Sequence, residues 1–145
     1  SKLAIIREAI VELEKIGKQN SMEEFIADKQ NFAVAEHYLR RALEAVFDIG
    51  GHIISRFSYS PGKRPKSLKE IGLALGEKGI VNKTFASKKL IEMAGYRNRL
   101  VHFYEEITPK ELYQIVTKDL NDLEIFARSI VGLVEKPEKA ELSIE

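Results

Sequence analysis

No cysteine occurs among the 145 residues. A disulfide scaffold, cysteine-ligated zinc, an iron–sulfur cluster and a thiol nucleophile are thereby excluded, and a reducing, cytoplasmic setting is expected. Histidine is scarce: a three-histidine metal site would need His37, His52 and His102 all to meet, and no metal or cofactor is expected. No apolar run approaches the ~20 residues of a membrane span, and no signal peptide opens the chain, so no membrane association is expected. Excess charge of one sign is missing too, with 23 basic against 22 acidic side chains. That balance suggests neither a histone-like binder nor an acidic tail protein. The length suits one domain with a proper core and leaves little room for two.

What the sum hides, the distribution shows. Residues 56–99 carry 11 basic side chains against Glu70, Glu77 and Glu92, a net charge of +8 between flanks at −2 and −5. Such a block suits a polyanion, with Lys63, Arg64, Lys66, Lys88, Lys89 and Arg99 as candidate RNA contacts. The plainer alternative is a set of solvated helix faces paired with acidic neighbours.

Apolar residues recur at helical spacing almost from end to end. Leu3, Ile6, Ile10, Leu13 and Ile16 mark a first helix, and Ser21 with Glu24 has the spacing of a capping box before a short second one. From Asn31 to about Phe57 a stripe runs for roughly seven turns, with Gly50-Gly51 inside it marking close packing or a bend. Pro61, Gly62 and Pro65 make residues 58–66 a loop. Ser67 with Glu70 opens the next helix, and Asn82 caps another that runs towards Val101. Thr108-Pro109-Lys110-Glu111 starts a last helix reaching Leu133. Gly72, Gly76 and Gly79 form no phosphate loop, because no strand precedes them. The expectation is an all-α, antiparallel four- to five-helix up-and-down bundle over residues 1–135, with a polar tail over 136–145.

One residue breaks the pattern. On a helical wheel over residues 86–104, Leu90, Met93, Ala94, Leu100, Val101 and Tyr104 form an apolar stripe with Arg97 on its midline. A charge there is costly unless it is paired, for instance with Glu44 or Asp48, or faces a cleft. Asn98 and His102 are four apart, so an uninterrupted helix turns both to one side. A cation able to fork onto phosphate oxygens, an imidazole able to exchange a proton near neutral pH and an amide to orient them make a sparse phosphodiester site. Arg97 and His102 nevertheless lie ~140° apart on an ideal helix. They converge only if the helix ends between them, if the arginine sweeps round, or if two subunits pool their motifs. Asp48 and His52, also four apart, suit a structural hydrogen bond.

The segment MAGYRNRLVHFY resembles the signature of HepT-like toxins of the HEPN-domain class, an arginine followed at short spacing by a histidine and a tyrosine. The likeness extends to RALEAVFDIGGHIISR, KRPKSLKEIGLALGEKGIV and ITPKELYQIVTKDLNDLEIF, so that it covers about residues 30–131. It implies a helical homodimer with both motifs facing a shared cleft, and a metal-independent endoribonuclease. In that reading Arg97 holds the scissile phosphate, His102 moves a proton and Asn98 orients them. The resemblance also implies a cognate minimal nucleotidyltransferase antitoxin that adds AMP to the motif tyrosine, here Tyr104, filling the phosphate site with a bulky anion. Two alternatives stay open: a non-catalytic helical module that binds a nucleotidyltransferase or its nucleotide, and a helical dimerisation protein without nucleic-acid chemistry.

Overall fold

The computed structural model describes residues 1–102 and 106–136. Its helices start where polar side chains meet the unpaired amides of a first turn. Ser1 accepts from the Ala4 N–H and opens α1 (Lys2–Gln19). Both halves of the Ser21/Glu24 capping box form and open α2 (Met22–Ala27). Asp28 accepts from the Gln30 N–H at the head of α3 (Lys29–Ile54). A second complete box, Ser67 with Glu70, starts α4 (Leu68–Glu77). The next helix, α5, runs on without a gap through Lys83–Phe85, a π-helical turn at Ala86–Leu90, and Ile91–Val101, with Asn82 accepting from the Thr84 and Phe85 N–H groups at its start. Thr108 caps α6 (Pro109–Lys118), and α7 (Leu120–Glu135) follows.

The all-α bundle expected from the periodicity is present, and among the described residues it is divided into seven helices. The count rises because the segment read as one last helix breaks at Asp119, whose backbone sits at φ −108° and ψ 3°. The Asp119 carboxylate accepts from the Tyr96 hydroxyl at 3.4 Å, and its carbonyl accepts from the Asp122 N–H. Both pieces bury apolar residues, Leu112, Ile115 and Val116 before the break and Leu123, Phe126 and Ile130 after it, so the stripe continues across the corner. Of the tail expected over 136–145, residues 137–145 lie outside the described part.

α3 is the centre of the bundle: α1 lies along it, and α2, α4, α5 and α6 also pack on it. Phe25, Leu13, Leu43, Val46, Leu75, Leu90, Leu112 and Phe126 are among the fully buried side chains that join these helices. Gly50 marks close packing, because a Cβ there would meet Leu75 Cδ1 at 3.0 Å and Ile71 Cγ2 at 3.2 Å. Gly76 is tighter still. An added Cβ would lie 2.6 Å from Ala86 Cβ, an atom fixed to the π-helical turn of α5 that cannot rotate away. Gly76→Ala should therefore lose about 1–2 kcal/mol despite its better helix propensity, read as a lower thermal midpoint. Gly79 then closes the α4 end in the left-handed region, at φ +74°.

Candidate active site

Arg97, Asn98 and Arg99 occupy the last turns of α5, which stops at Val101. His102 leaves the helix with extended backbone, φ −108° and ψ 122°. The helix read as running towards Val101 thus ends there, between Arg97 and His102, the first of the three arrangements left open by the helical wheel. The cause sits next to the motif. Arg99 forks onto Glu111 of α6, with Nη1 and Nη2 donating to its two carboxylate oxygens at 2.6 Å each, and Nη2 also donates to the Glu106 carbonyl at 3.3 Å. The guanidinium thus anchors the chain as it turns back from α5 into α6. The Arg99 hydrogen bonds hold the Glu111 carboxyl below its usual range against some desolvation.

Arg97 is half-buried and makes no ion pair among the described residues. Its Nη1 donates to the neighbouring Asn98 Oδ1 at 3.4 Å. Neither carboxylate expected as a structural partner takes that role: Asp48 pairs with Lys2 Nζ at 3.2 Å, and no ion pair joins Glu44 to Arg97. His102 is exposed and lines a cleft of about 430 Å³ together with Arg99, Glu106 and, from α3, Phe32, Glu36 and Arg40. Arg97 and Asn98 do not line that cleft. Among the described residues the structure therefore joins Arg97 to Asn98 and His102 to α3, and this cleft does not gather all three. Tyr104 lies outside the described residues.

The basic block divides by environment. Lys63, Lys66 and Lys88 are exposed. Arg64 donates to the Ile54 carbonyl at 3.4 Å and the Phe57 carbonyl at 3.1 Å, and it lies over the Tyr59 ring at 5.1 Å, closing the end of α3. Lys89 Nζ stands 3.6 Å from Asp122 Oδ2. His52 is exposed, and Asp48, with its ion pair to α1, makes no hydrogen bond to it.

Two groups went unread in the sequence. Phe32, Glu36 and Arg40 recur every fourth residue along α3, a legible line of which Phe32 was read only as the start of the apolar stripe and the two polar residues were passed over. Glu92, Asp119 and Asp122 bring carboxylate oxygens within 4.8 Å of one another, although Glu92 lies on α5, far in the chain from the other two. Asp122 is only 8% exposed. Burial pushes the Glu92 and Asp122 carboxyls above their usual range, the Asp119 charge adds to this, and Lys89 opposes it. Groups raised in this way stabilise the fold most when protonated, so their contribution is lost as pH rises through the raised values. Glu24 and Glu111, both held low, behave oppositely and lose their contribution on acidification. The thermal midpoint should accordingly rise as the pH falls from neutral towards the ordinary carboxylate range and drop again below that range. Asp122→Asn should flatten that rise; an unchanged slope would show that the cluster does not titrate there.

This all-helical architecture matches a known class of ribonuclease. The chain belongs to the ribonuclease HepT-like family, whose profile matches residues 6–130. It is 27% identical over 110 residues to a tRNA nuclease HepT of Aphanizomenon flos-aquae, a match covering 76% of this chain and 72% of that protein. A tri-AMPylated HEPN toxin of Shewanella oneidensis, solved in complex with an MNT antitoxin, superposes with a TM-score of 0.76 at 25% identity, covering 90% of this chain and 94% of that one. A toxin–antitoxin crystal structure with AMP-PNP shares the fold at a TM-score of 0.75 and 23% identity, covering 90% and 95% of the two chains. Among the described residues, no helix is long and apolar enough to cross a membrane.

Proposed function

We propose that this chain is the metal-independent endoribonuclease toxin of a toxin–antitoxin pair, acting as a homodimer in which Arg97 of one subunit works with His102 of the other. The observation that carries the reading is Arg97 itself, a half-buried guanidinium with no carboxylate to neutralise it among the described residues. A structural arginine in that position would be expected to hold an acidic partner; one kept unpaired suits an anion that arrives from outside. The phosphate of RNA is such an anion. The 2′-oxygen attacks phosphorus, a 2′-O–P bond forms, and the P–O5′ bond breaks. One proton leaves the 2′-hydroxyl and one reaches the departing 5′-oxygen, transfers suited to the His102 imidazole. Arg97 offsets the charge that builds on the non-bridging oxygens, and Asn98, already bonded to it, orients its plane.

The partner is a minimal nucleotidyltransferase, as the MNT antitoxin bound to the Shewanella relative suggests. It would transfer AMP from ATP to the Tyr104 oxygen with release of pyrophosphate, placing a bulky anion two residues from His102. Lys63, Lys66 and Lys88 supply weak, salt-dependent attraction for the RNA backbone.

A transfer RNA pool is the first substrate to try, given the name of the Aphanizomenon relative. Unmodified protein should cleave it equally well with and without EDTA, leaving 2′,3′-cyclic phosphate and 5′-hydroxyl ends. Loss of activity in EDTA, or products with 5′-phosphates, would overturn the mechanism. No cleavage at all, with nucleotidyltransferase binding retained, would make the chain a binding module.

A further inference from the structure

We infer that the cleft between α3 and the end of α5 is a nucleotide subsite that selects the base beside the scissile phosphate, with Phe32 as stacking surface, Glu36 as reader of the base edge and Arg40 as holder of the adjoining phosphate. The inference rests on the ribonuclease reading, since it is His102 at the cleft wall that places an RNA phosphate there.

The three α3 residues fall on one line, four residues apart, along the same side of the helix. Phe32 is packed against the core on one side and lines the cleft on the other, so its ring is held in place before any ligand arrives. A ring fixed in this way offers a flat apolar face at little entropic cost, which is what a splayed-out RNA base requires. Arg40 is exposed in the cleft and makes no ion pair among the described residues. Arg99, the other guanidinium at this wall, is already engaged with Glu111, which leaves Arg40 as the cation for a second phosphate.

Glu36 decides the specificity. It is half-buried at the cleft wall, one helical turn from both Phe32 and Arg40, and makes no hydrogen bond or ion pair of its own among the described residues. A carboxylate is an unfavourable wall for a phosphate but a good acceptor for a base edge that donates. Guanine presents two adjacent donors, N1–H and the exocyclic amine, which match two carboxylate oxygens. Adenine and cytosine offer the amine alone. Uracil flanks its single N–H with two carbonyls that face the carboxylate with like charge. A base stacked on Phe32 with its edge on Glu36 therefore ranks guanine first and uracil last. The cleft, at about 430 Å³, is within the size range of small-ligand pockets.

The test reads binding without turnover. The full-length protein is titrated with the 3′-monophosphates of guanosine and uridine, and with the single-stranded pentamers UUGUU and UUUUU made with 2′-O-methyl riboses, which cannot be cut. Guanosine 3′-monophosphate and UUGUU should each bind about tenfold tighter than their uracil counterparts, the discrimination of one bidentate pair. Glu36→Gln should bring both ratios close to one. Phe32→Leu, which keeps an apolar side chain against the core, should weaken all four ligands alike. Arg40→Gln should weaken the nucleotide but leave free guanosine unchanged. Equal affinities for guanine and uracil ligands, or a ratio that survives Glu36→Gln in a variant that melts like the parent, overturns the inference. Selectivity for the mononucleotide without selectivity for the pentamer also overturns it, because the cleft would then be a site for free nucleotides. Cleavage of RNA with no base discrimination removes this subsite and leaves the ribonuclease standing; selective binding by a protein that cuts nothing does the reverse.

Discussion

RNA cleavage by the His102→Ala variant should fall by about 10²- to 10⁴-fold, the usual loss when a general acid–base group is removed. The fold should barely register the change. His102 is exposed and stands one residue beyond the end of α5, so its removal opens no cavity and breaks no helix. A stability change of about 0.5 kcal/mol or less is expected. Measuring initial cleavage rates beside thermal melts separates the two quantities. Equal residual cleavage by parent and variant would assign the activity to a contaminant.

Arg97→Ala should lower cleavage by about 10²- to 10³-fold through the loss of charge stabilisation at phosphorus. Here, too, stability should hold, because no carboxylate among the described residues is stranded when the guanidinium goes. Mixing the two inactive variants gives the more informative result. Arg97 does not line the described cleft that holds His102 of the same chain, so each working site is expected to draw on both subunits. A mixed dimer of Arg97→Ala with His102→Ala then carries one site with both residues intact and one with neither. With random subunit exchange, about a quarter of the parental activity should return. If both residues act within one chain, mixing restores nothing, and light scattering of the mixture reports whether exchange took place.

Helix starts were legible in the sequence because their determinants are local. Ser21 with Glu24, Ser67 with Glu70, Asn82 and Thr108 each cap a helix within three residues of themselves, and each does so in the structure. Helix ends were less so. The end of α5 near Val101 was read, but not the Arg99–Glu111 fork beside it, which spans twelve residues, and such a pairing leaves no periodic trace. The corner at Asp119 was hidden for a related reason, since its hydroxyl partner, Tyr96, sits on another helix and the apolar stripe runs straight across. The motif residues of the candidate site were readable by type and spacing, which singled out Arg97, Asn98 and His102. Their grouping was not, because a helical wheel assumes the helix that the fold interrupts. Phe32, Glu36 and Arg40 had a visible four-residue spacing but no reason to be chosen until α3 was seen facing His102.

The Arg99–Glu111 fork has a consequence for protein engineering. It fastens the last turn of α5 to the first turn of α6 with two short, half-buried bonds, so the connection from His102 to Thr108 starts and ends at two fixed posts. The posts belong to the bundle, whereas the stretch carries the imidazole and the tyrosine. Rewriting residues 103–105, with the buried Ile107 and the Thr108 cap kept, should leave the core geometry alone while changing the groups displayed beside His102. Cutting the fork, as in Glu111→Gln, should do the opposite: every residue keeps its chemistry, and the display loses its address.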